Sequence, residues 1–277
     1  MQNQTRIIIE NVLPQLDCGA FAIKRIIGQK VRVTAAVFSD GHDVLESCVK
    51  YKHEADENWQ EVRMTPTVND EWFAEFKVEK QGFYSYLVEG WVDYALNWQH
   101  GTERKIQDNQ HVKSELLEGA EYVRAILPLV NATESDYLKT LEYYFITESE
   151  YNNAVREASS PELTRIFKKY PIRFLENKSQ ELKVYVDRKK ALYSTWYEFF
   201  PRSASSEEGK HGTFKDCERL LPRVAAMGFD TLYFPPIHPI GEVNRKGKNN
   251  ATNAQPGDVG SPWGIGSQYG GHKSTHP

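Results

Sequence analysis

Cysteine is scarce in this chain, with only Cys18, Cys48 and Cys217 among 277 residues. They are odd in number, far apart and in no C-x-x-C arrangement, so the pattern supports neither a disulfide framework nor a zinc site. They read as buried thiols, and no metal or other cofactor is expected. Long apolar runs are absent as well. No segment approaches the ~18 continuous apolar residues of a membrane-spanning helix. The opening residues, MQNQTRIIIENVLPQLDCG, lack a basic start followed by an apolar run of about 7–15 residues, so no signal peptide is expected and the location expected is cytoplasmic. An excess of positive charge is also missing: Lys and Arg number 34 against 38 for Asp and Glu, a net charge of −4. Nucleic acid and anionic membrane are therefore not expected as partners, because both require a concentrated basic surface.

What is present is the balance of a soluble globular protein, with 40% hydrophobic and 26% charged residues. The length predicts two or three domains. From Gly28 to about Val92 the chain reads as short strands between turn signals. In VRVTAAVF, Val31, Val33, Ala35 and Val37 alternate with other residues, the period of a strand with two distinct faces. Ser39 to His42 then supplies a turn. SCVKYK (47–52), WQEVRM (59–64), WFAEFKV (72–78) and FYSYLVEGWVD (83–93) follow at a spacing that favours a β-sandwich, and residues 1–110 are assigned to an immunoglobulin-like one. Its Trp59, Trp72 and Trp91 read as core, with stacking on sugars as the alternative.

Between His111 and Lys169 the period changes to three and four. Val112, Leu116, Leu117, Ala120 and Val123 form one helical stripe; Tyr137, Leu138, Leu141, Tyr144 and Phe145 form a second. Ser160, Pro161 and Glu162 combine a hydroxyl cap, a first-turn proline and an acid facing the helix dipole. Residues 111–180 are thus a helical insertion, packed within the chain or serving as a dimer contact. LKVYVDRKK returns to strand character, and residues 181–190 are read as the closing strand of the sandwich.

A new pattern fills residues 191–277. ALYSTWYEFFPRS (191–203) reads as a strand covered on both faces. Thr213 and Asp216 approximate a capping box, and Phe214, Cys217, Leu220, Leu221, Val224 and Met227 make the apolar stripe of a helix that ends at Gly228. Pro222 is expected to kink it. DTLYFPPI (230–237) is the next strand. Strand, helix, strand in this order begins a parallel sheet or a (β/α)8 barrel, here a truncated one, since such a barrel takes ~250 residues.

Barrel chemistry gathers where the strands end. After the first strand come Glu198 to Arg202. After the second comes a long loop rich in Gly, Asn and Pro, carrying Arg245, Lys246 and Lys248 beside Asn249 and Asn250. Fixed cations beside amides suit a phosphorylated sugar, since phosphate takes charge-assisted donors and hydroxyls take amides. Composition alone favours a solvated basic turn.

The combination of WYEFFPRS (196–203), HGTF (211–214), GFDTLYFPPIHPIG (228–241), RKGKNN (245–250) and PGDVGSPWGIGSQYGGHKSTHP (256–277) closely resembles the N-terminal half of the α-1,4-glucan:maltose-1-phosphate maltosyltransferases, in the α-amylase superfamily. GFDTLYFPPIHPIG points only to the superfamily, whereas RKGKNN and GSPWGIGS are more specific. The resemblance implies a transferase that extends α-1,4-glucans from α-maltose 1-phosphate, a homodimer, and a retaining double displacement whose carboxylates follow later barrel strands. It also implies that Lys246 and Asn250 hold the donor sugar, with Asn249 and His238 as weaker candidates. No residue of this chain is taken as catalytic; Asp216 and Asp230 are better explained as a cap and a strand start. The family pattern GGHDAIHP is GGHKSTHP here, so Lys273, Ser274 and Thr275 depart while His272, His276 and Pro277 are kept. The competing readings are another α-amylase-superfamily hydrolase and a non-catalytic carbohydrate-binding or dimerisation fragment.

Overall fold

The computed structural model describes residues 6–277. Two compact units divide between Arg188 and Lys189.

In the first unit the strands are β1 (Ile7–Leu13), β2 (Ile23–Ile26), β3 (Lys30–Ser39), β4 (Leu45–His53), β5 (Gln60–Arg63), β6 (Thr65–Pro66), β7 (Glu71–Lys77) and β8 (Gly82–Asp93). The helices α1 (Tyr94–Gln107), α2 (Lys113–Ile126), α3 (Ala132–Ile146), α4 (Tyr151–Ala158) and α5 (Pro161–Lys169) follow, and then β9 (Arg173–Lys178) and β10 (Leu182–Asp187). One sheet runs β1-β3-β7-β6; the other runs β2-β10-β8-β4-β5, with β9 also on β8. All the pairings are antiparallel except that of β2 with β10. Alternation explains the register. Val31, Val33, Ala35 and Val37 of β3 share one core with Tyr84, Tyr86 and Val88 of β8 and with Leu182, Val184 and Val186 of β10, as a period of two requires. Of the three tryptophans expected in this core, Trp72 and Trp91 are buried and Trp59 is exposed.

The helices have their own core, in which Leu116, Ala120 and Val123 meet Leu138, Leu141 and Phe145. Leu117, expected on the first stripe, is exposed. Ser160 caps α5 by accepting from the Leu163 amide. The helical part starts at Tyr94 rather than near His111, because the buried Asp93 at the end of β8 accepts from the Leu96 amide and caps α1 directly. Residues 173–178, expected within the insertion, form β9 against the far end of β8. There, Glu89 is fully buried and pairs with Lys50 at 2.8 Å and Arg173 at 2.5 Å. Burial pushes its carboxyl up, but these hydrogen bonds outweigh burial and hold it below the ordinary range. Trp91 beside it carries the guanidinium groups of Arg63 and Arg173 over its ring at 4.5 and 4.2 Å.

The second unit contains β11 (Trp196–Glu198), α6 (Phe214–Ala226) and β12 (Thr231–Tyr233), with β11 and β12 parallel. Both strands are far shorter than the runs 191–203 and 230–237 suggested: Lys189–Ala191 form a 3-10 turn before the first, and beyond the ends Pro201 and the Pro235–Pro236 pair lack the amides that would extend the ladder. Thr213 and Asp216 form a capping box, and Gly228 has a φ of +83°. Only Cys217 and Val224 of the expected stripe are buried, while Phe214, Leu221 and Met227 are exposed. Two three-residue strands offer too little surface to cover that face. Cys18 is also exposed, unlike Cys48 and Cys217, because it lies in a tight turn at a φ of +53°.

Candidate functional site

Two loops build the candidate site, both at the C-terminal ends of the parallel strands. After β11 come Phe200 and Arg202; after β12 the chain runs through His238 to Pro277. Arg202 donates to the Gly260 carbonyl at 2.9 Å, and Arg245 donates to the neighbouring Val259 carbonyl at 2.8 Å. Two guanidinium groups thus fix the same stretch of backbone. Phe200 meets Trp263 edge-on at 5.7 Å between ring centroids.

The RKGKNN segment is folded tightly. The Gly247 amide donates to the Ala251 carbonyl at 2.9 Å, and the Ala251 amide returns to the Lys248 carbonyl at 3.1 Å. A Cβ on Gly247 would sit 2.7 Å from the Asn253 carbonyl oxygen and 3.0 Å from Asp258 Oδ2, so glycine is required by this close approach. Asn249 and Asn250 take φ values of +54° and +62°, a region that asparagine tolerates better than most residues. Asp258 accepts from the Gln255 amide at 2.7 Å, a local turn contact.

The result is a cleft of about 330 Å³ in which Lys246, Asn249 and Asn250 converge with Arg202, Asp258 and Trp263. An ammonium, two amides and an indole suit a polyhydroxylated ligand: the cation and amides hydrogen-bond hydroxyls, and the ring supports an apolar sugar face. His238 is not in that cleft. It lines an adjoining cavity of about 390 Å³ with Arg202, Arg245 and His276, and its Nδ1 lies 3.0 Å from the Ser274 carbonyl oxygen. That partner is a backbone atom, so the serine side chain at this position is not what makes the contact. Asp216 and Asp230 are engaged by local contacts. Backbone and side-chain hydrogen bonds from Thr213 hold the Asp216 carboxyl below its usual range, and Lys190, 2.5 Å away, does the same for Asp230.

Sequence reasoning placed the loops at the site but missed Arg202 as the tie between them and Trp263 as part of the wall. The only available sign was that both fall within segments that carry the resemblance, Arg202 in WYEFFPRS and Trp263 in GSPWGIGS.

Comparison with known proteins now adds to this geometry. The model of the α-1,4-glucan:maltose-1-phosphate maltosyltransferase family, domain N/S, matches residues 5–188. The chain belongs to this family. Relatives named as α-1,4-glucan:maltose-1-phosphate maltosyltransferases are similar over nearly all of it: that of Methylacidiphilum infernorum is 44% identical, covering 100% of this chain and 41% of the relative. That of Chlorobaculum tepidum is 43% identical, covering 98% and 41%, and that of Myxococcus xanthus 40% identical, covering 98% and 42%. The chain therefore spans about 41% of the length of the curated relatives it matches. Among the described residues no helix is long and apolar enough to cross a membrane.

Proposed function

We propose that this chain is the N-terminal portion of a cytoplasmic maltosyltransferase that transfers maltosyl units from α-maltose 1-phosphate to the non-reducing end of α-1,4-glucans. The observation that carries the proposal is the convergence of Lys246, Asn249 and Asn250 in one cleft, on a segment that resembles the family's donor-sugar contacts. Lys246 and Asn250 hold hydroxyls of the donor's maltosyl unit, Asn249 supports them, and His238 shapes the adjoining cavity. The two-sheet part is read as an immunoglobulin-like sandwich of strands β1–β10 with the helices α1–α5 inserted between β8 and β9, and residues 191–277 as the start of a (β/α)8 barrel. Support for the barrel comes from the parallel pairing of β11 with β12 across α6.

The reaction is a retaining double displacement, in which one carboxylate attacks the anomeric carbon and a second protonates the leaving group and then activates the acceptor hydroxyl. Asp216, Asp230 and Asp258 take neither role, since a cap, an ion pair and a turn engage them. The 277-residue chain by itself should release no phosphate above blank from maltose 1-phosphate and glycogen. A homodimer is proposed through the helices, where Leu117, Leu129, Tyr143 and Ile146 are exposed.

The test uses the full-length enzyme. A charged donor to a hydroxyl contributes roughly 1.5–3 kcal/mol and a neutral one about 0.5–1.5. Lys246→Ala should lower kcat/KM for maltose 1-phosphate about ten- to a hundredfold, and Asn250→Ala about two- to tenfold. The KM for glycogen should change much less. Wild-type donor kinetics in both variants would reduce RKGKNN to a solvated turn.

A further inference from the structure

The larger sheet has a second face, opposite the core, whose two ends differ. Because Tyr84, Tyr86 and Val88 of β8 point into the core, Phe83, Ser85, Leu87, Glu89 and Trp91 lie on the other side. At the Glu89 end that side is closed, with Glu89 and Trp91 fully buried. At the Phe83 end it is open, with Phe83 43% and Trp59 36% exposed.

Register places the open end's residues in two rows. Lys24, Tyr185 and Phe83 are direct neighbours across β2, β10 and β8. Lys183, Ser85 and Lys52 are neighbours in the next row, and Trp59, just ahead of β5, stands beside Lys52, whose ammonium lies 5.2 Å from the indole centroid. The Phe83 and Tyr185 rings are 5.1 Å apart, with the Lys24 ammonium 5.8 Å from the Tyr185 ring. Neighbouring strands are about 4.8 Å apart and residues about 3.4 Å apart along a strand, so Phe83 and Trp59, two strands and two residues apart, are on the order of 12 Å apart with Lys52 and Ser85 between them.

We propose that this open sheet face binds a linear α-1,4-glucan at a site of its own, made by residues other than those of the Lys246 cleft, with Tyr185, Phe83 and Trp59 as ring platforms. Separated aromatic rings with ammonium donors between them match a run of pyranose units: each sugar offers an apolar C–H face to a ring and hydroxyls to a donor. Single-stranded nucleic acid also stacks on aromatics, but it needs uncompensated cations along its backbone. Here the Glu54 carboxylate stands beside Phe83 and accepts from its amide at 3.1 Å, so the cations are not uncompensated. The naming of an α-glucan, rather than another saccharide, rests on the proposed function; the existence of the platform does not.

The experiment is calorimetric titration of the 277-residue chain with maltoheptaose, alongside cellohexaose and a single-stranded oligonucleotide. Three variants accompany the wild type: Phe83→Ala combined with Tyr185→Ala, Trp59→Ala, and Lys246→Ala combined with Asn250→Ala. All are checked for an unchanged circular dichroism melt, which is expected because the substituted sheet residues face outward. Maltoheptaose should bind at a site that survives the Lys246/Asn250 change and is weakened about five- to tenfold or more by loss of either platform. Absence of such binding, its survival in both platform variants, or equal affinity for cellohexaose would overturn the proposal. Preference for the oligonucleotide would overturn it in favour of a nucleic-acid surface. Donor kinetics of the full-length enzyme test the Lys246 cleft separately, so the two readings can fail independently.

Discussion

Two glycines inside helices should respond in opposite directions to the same added methyl group. Gly101 lies in α1, and a Cβ built there meets nothing within 4 Å. Gly119 lies in α2, and a Cβ there would fall 2.1 Å from Cζ2 of Trp98. Carbon atoms rest about 3.5–4.0 Å apart, so the indole would have to withdraw by roughly 1.5 Å. It has little room to do so. Its Nε1 donates to the Glu115 carbonyl at 2.6 Å, and its ring meets Tyr122, Phe145 and Phe167 at centroid distances of 6.1, 5.8 and 6.3 Å. Replacing an interior helical glycine by alanine gains about 0.8–1 kcal/mol in helix propensity. Overpacking typically costs about 1–3 kcal/mol, and loss of the indole hydrogen bond about another 1. Gly101→Ala should therefore stabilise the first unit by up to about 1 kcal/mol, and Gly119→Ala should destabilise it by about 1–3 kcal/mol. Urea titration followed by far-ultraviolet circular dichroism reads both as shifts in midpoint at constant slope. If Gly119→Ala stabilised the chain as much as Gly101→Ala, the packing of Trp98 against α2 would be wrong.

Other consequences follow from charge and exposure. Hydrogen bonds from Lys169, Tyr170 and Arg165 hold the Glu134 carboxyl at about 2, below its ordinary 4.5. A depressed folded value stabilises above the unfolded one and is lost as pH falls towards about 2. Glu134→Gln should therefore be less stable than wild type at neutral pH, with the gap closing across that acid window in denaturant titrations; a constant gap would refute the linkage. Cys18 is exposed, whereas Cys48 is buried and its thiol is pushed up to about 12 by burial and by Glu61. Native protein should show a rapid DTNB reaction at Cys18, removed by Cys18→Ser, with Cys48 and Cys217 reacting only on denaturation. Sedimentation of the chain at micromolar concentration should show dimers, and a strictly monomeric species would count against the helical contact.

Local pattern was enough for the elements whose partners are close in sequence or whose alternation is clean. The valines of β3, the Ser160 cap, the Thr213–Asp216 box and the end of α6 at Gly228 were all legible, because the forces that set them act within a few residues. The residue types of Lys246, Asn249 and Asn250 marked a cation beside amides, but that these side chains line one cleft came only from the folded loop.

Other features depended on long-range contacts. Sequence did not show β1, whose IIIENVL lacks alternation and gains its strand only by pairing with β3, Ile7 opposite Ser39. Nor did it show α1, because the cap that starts it, Asp93, is also the last residue of β8. Cys18 looked like any buried thiol until the turn at Asp17–Gly19 turned it outward. At the candidate site, His238 and Lys246 are close in sequence yet line different cavities. Arg202, from another strand's loop, lines both and donates to the Gly260 carbonyl. Residue types thus determined what chemistry the chain can offer, while tertiary structure decided which groups share a surface, because hydrogen bonds and packing between distant segments set those distances.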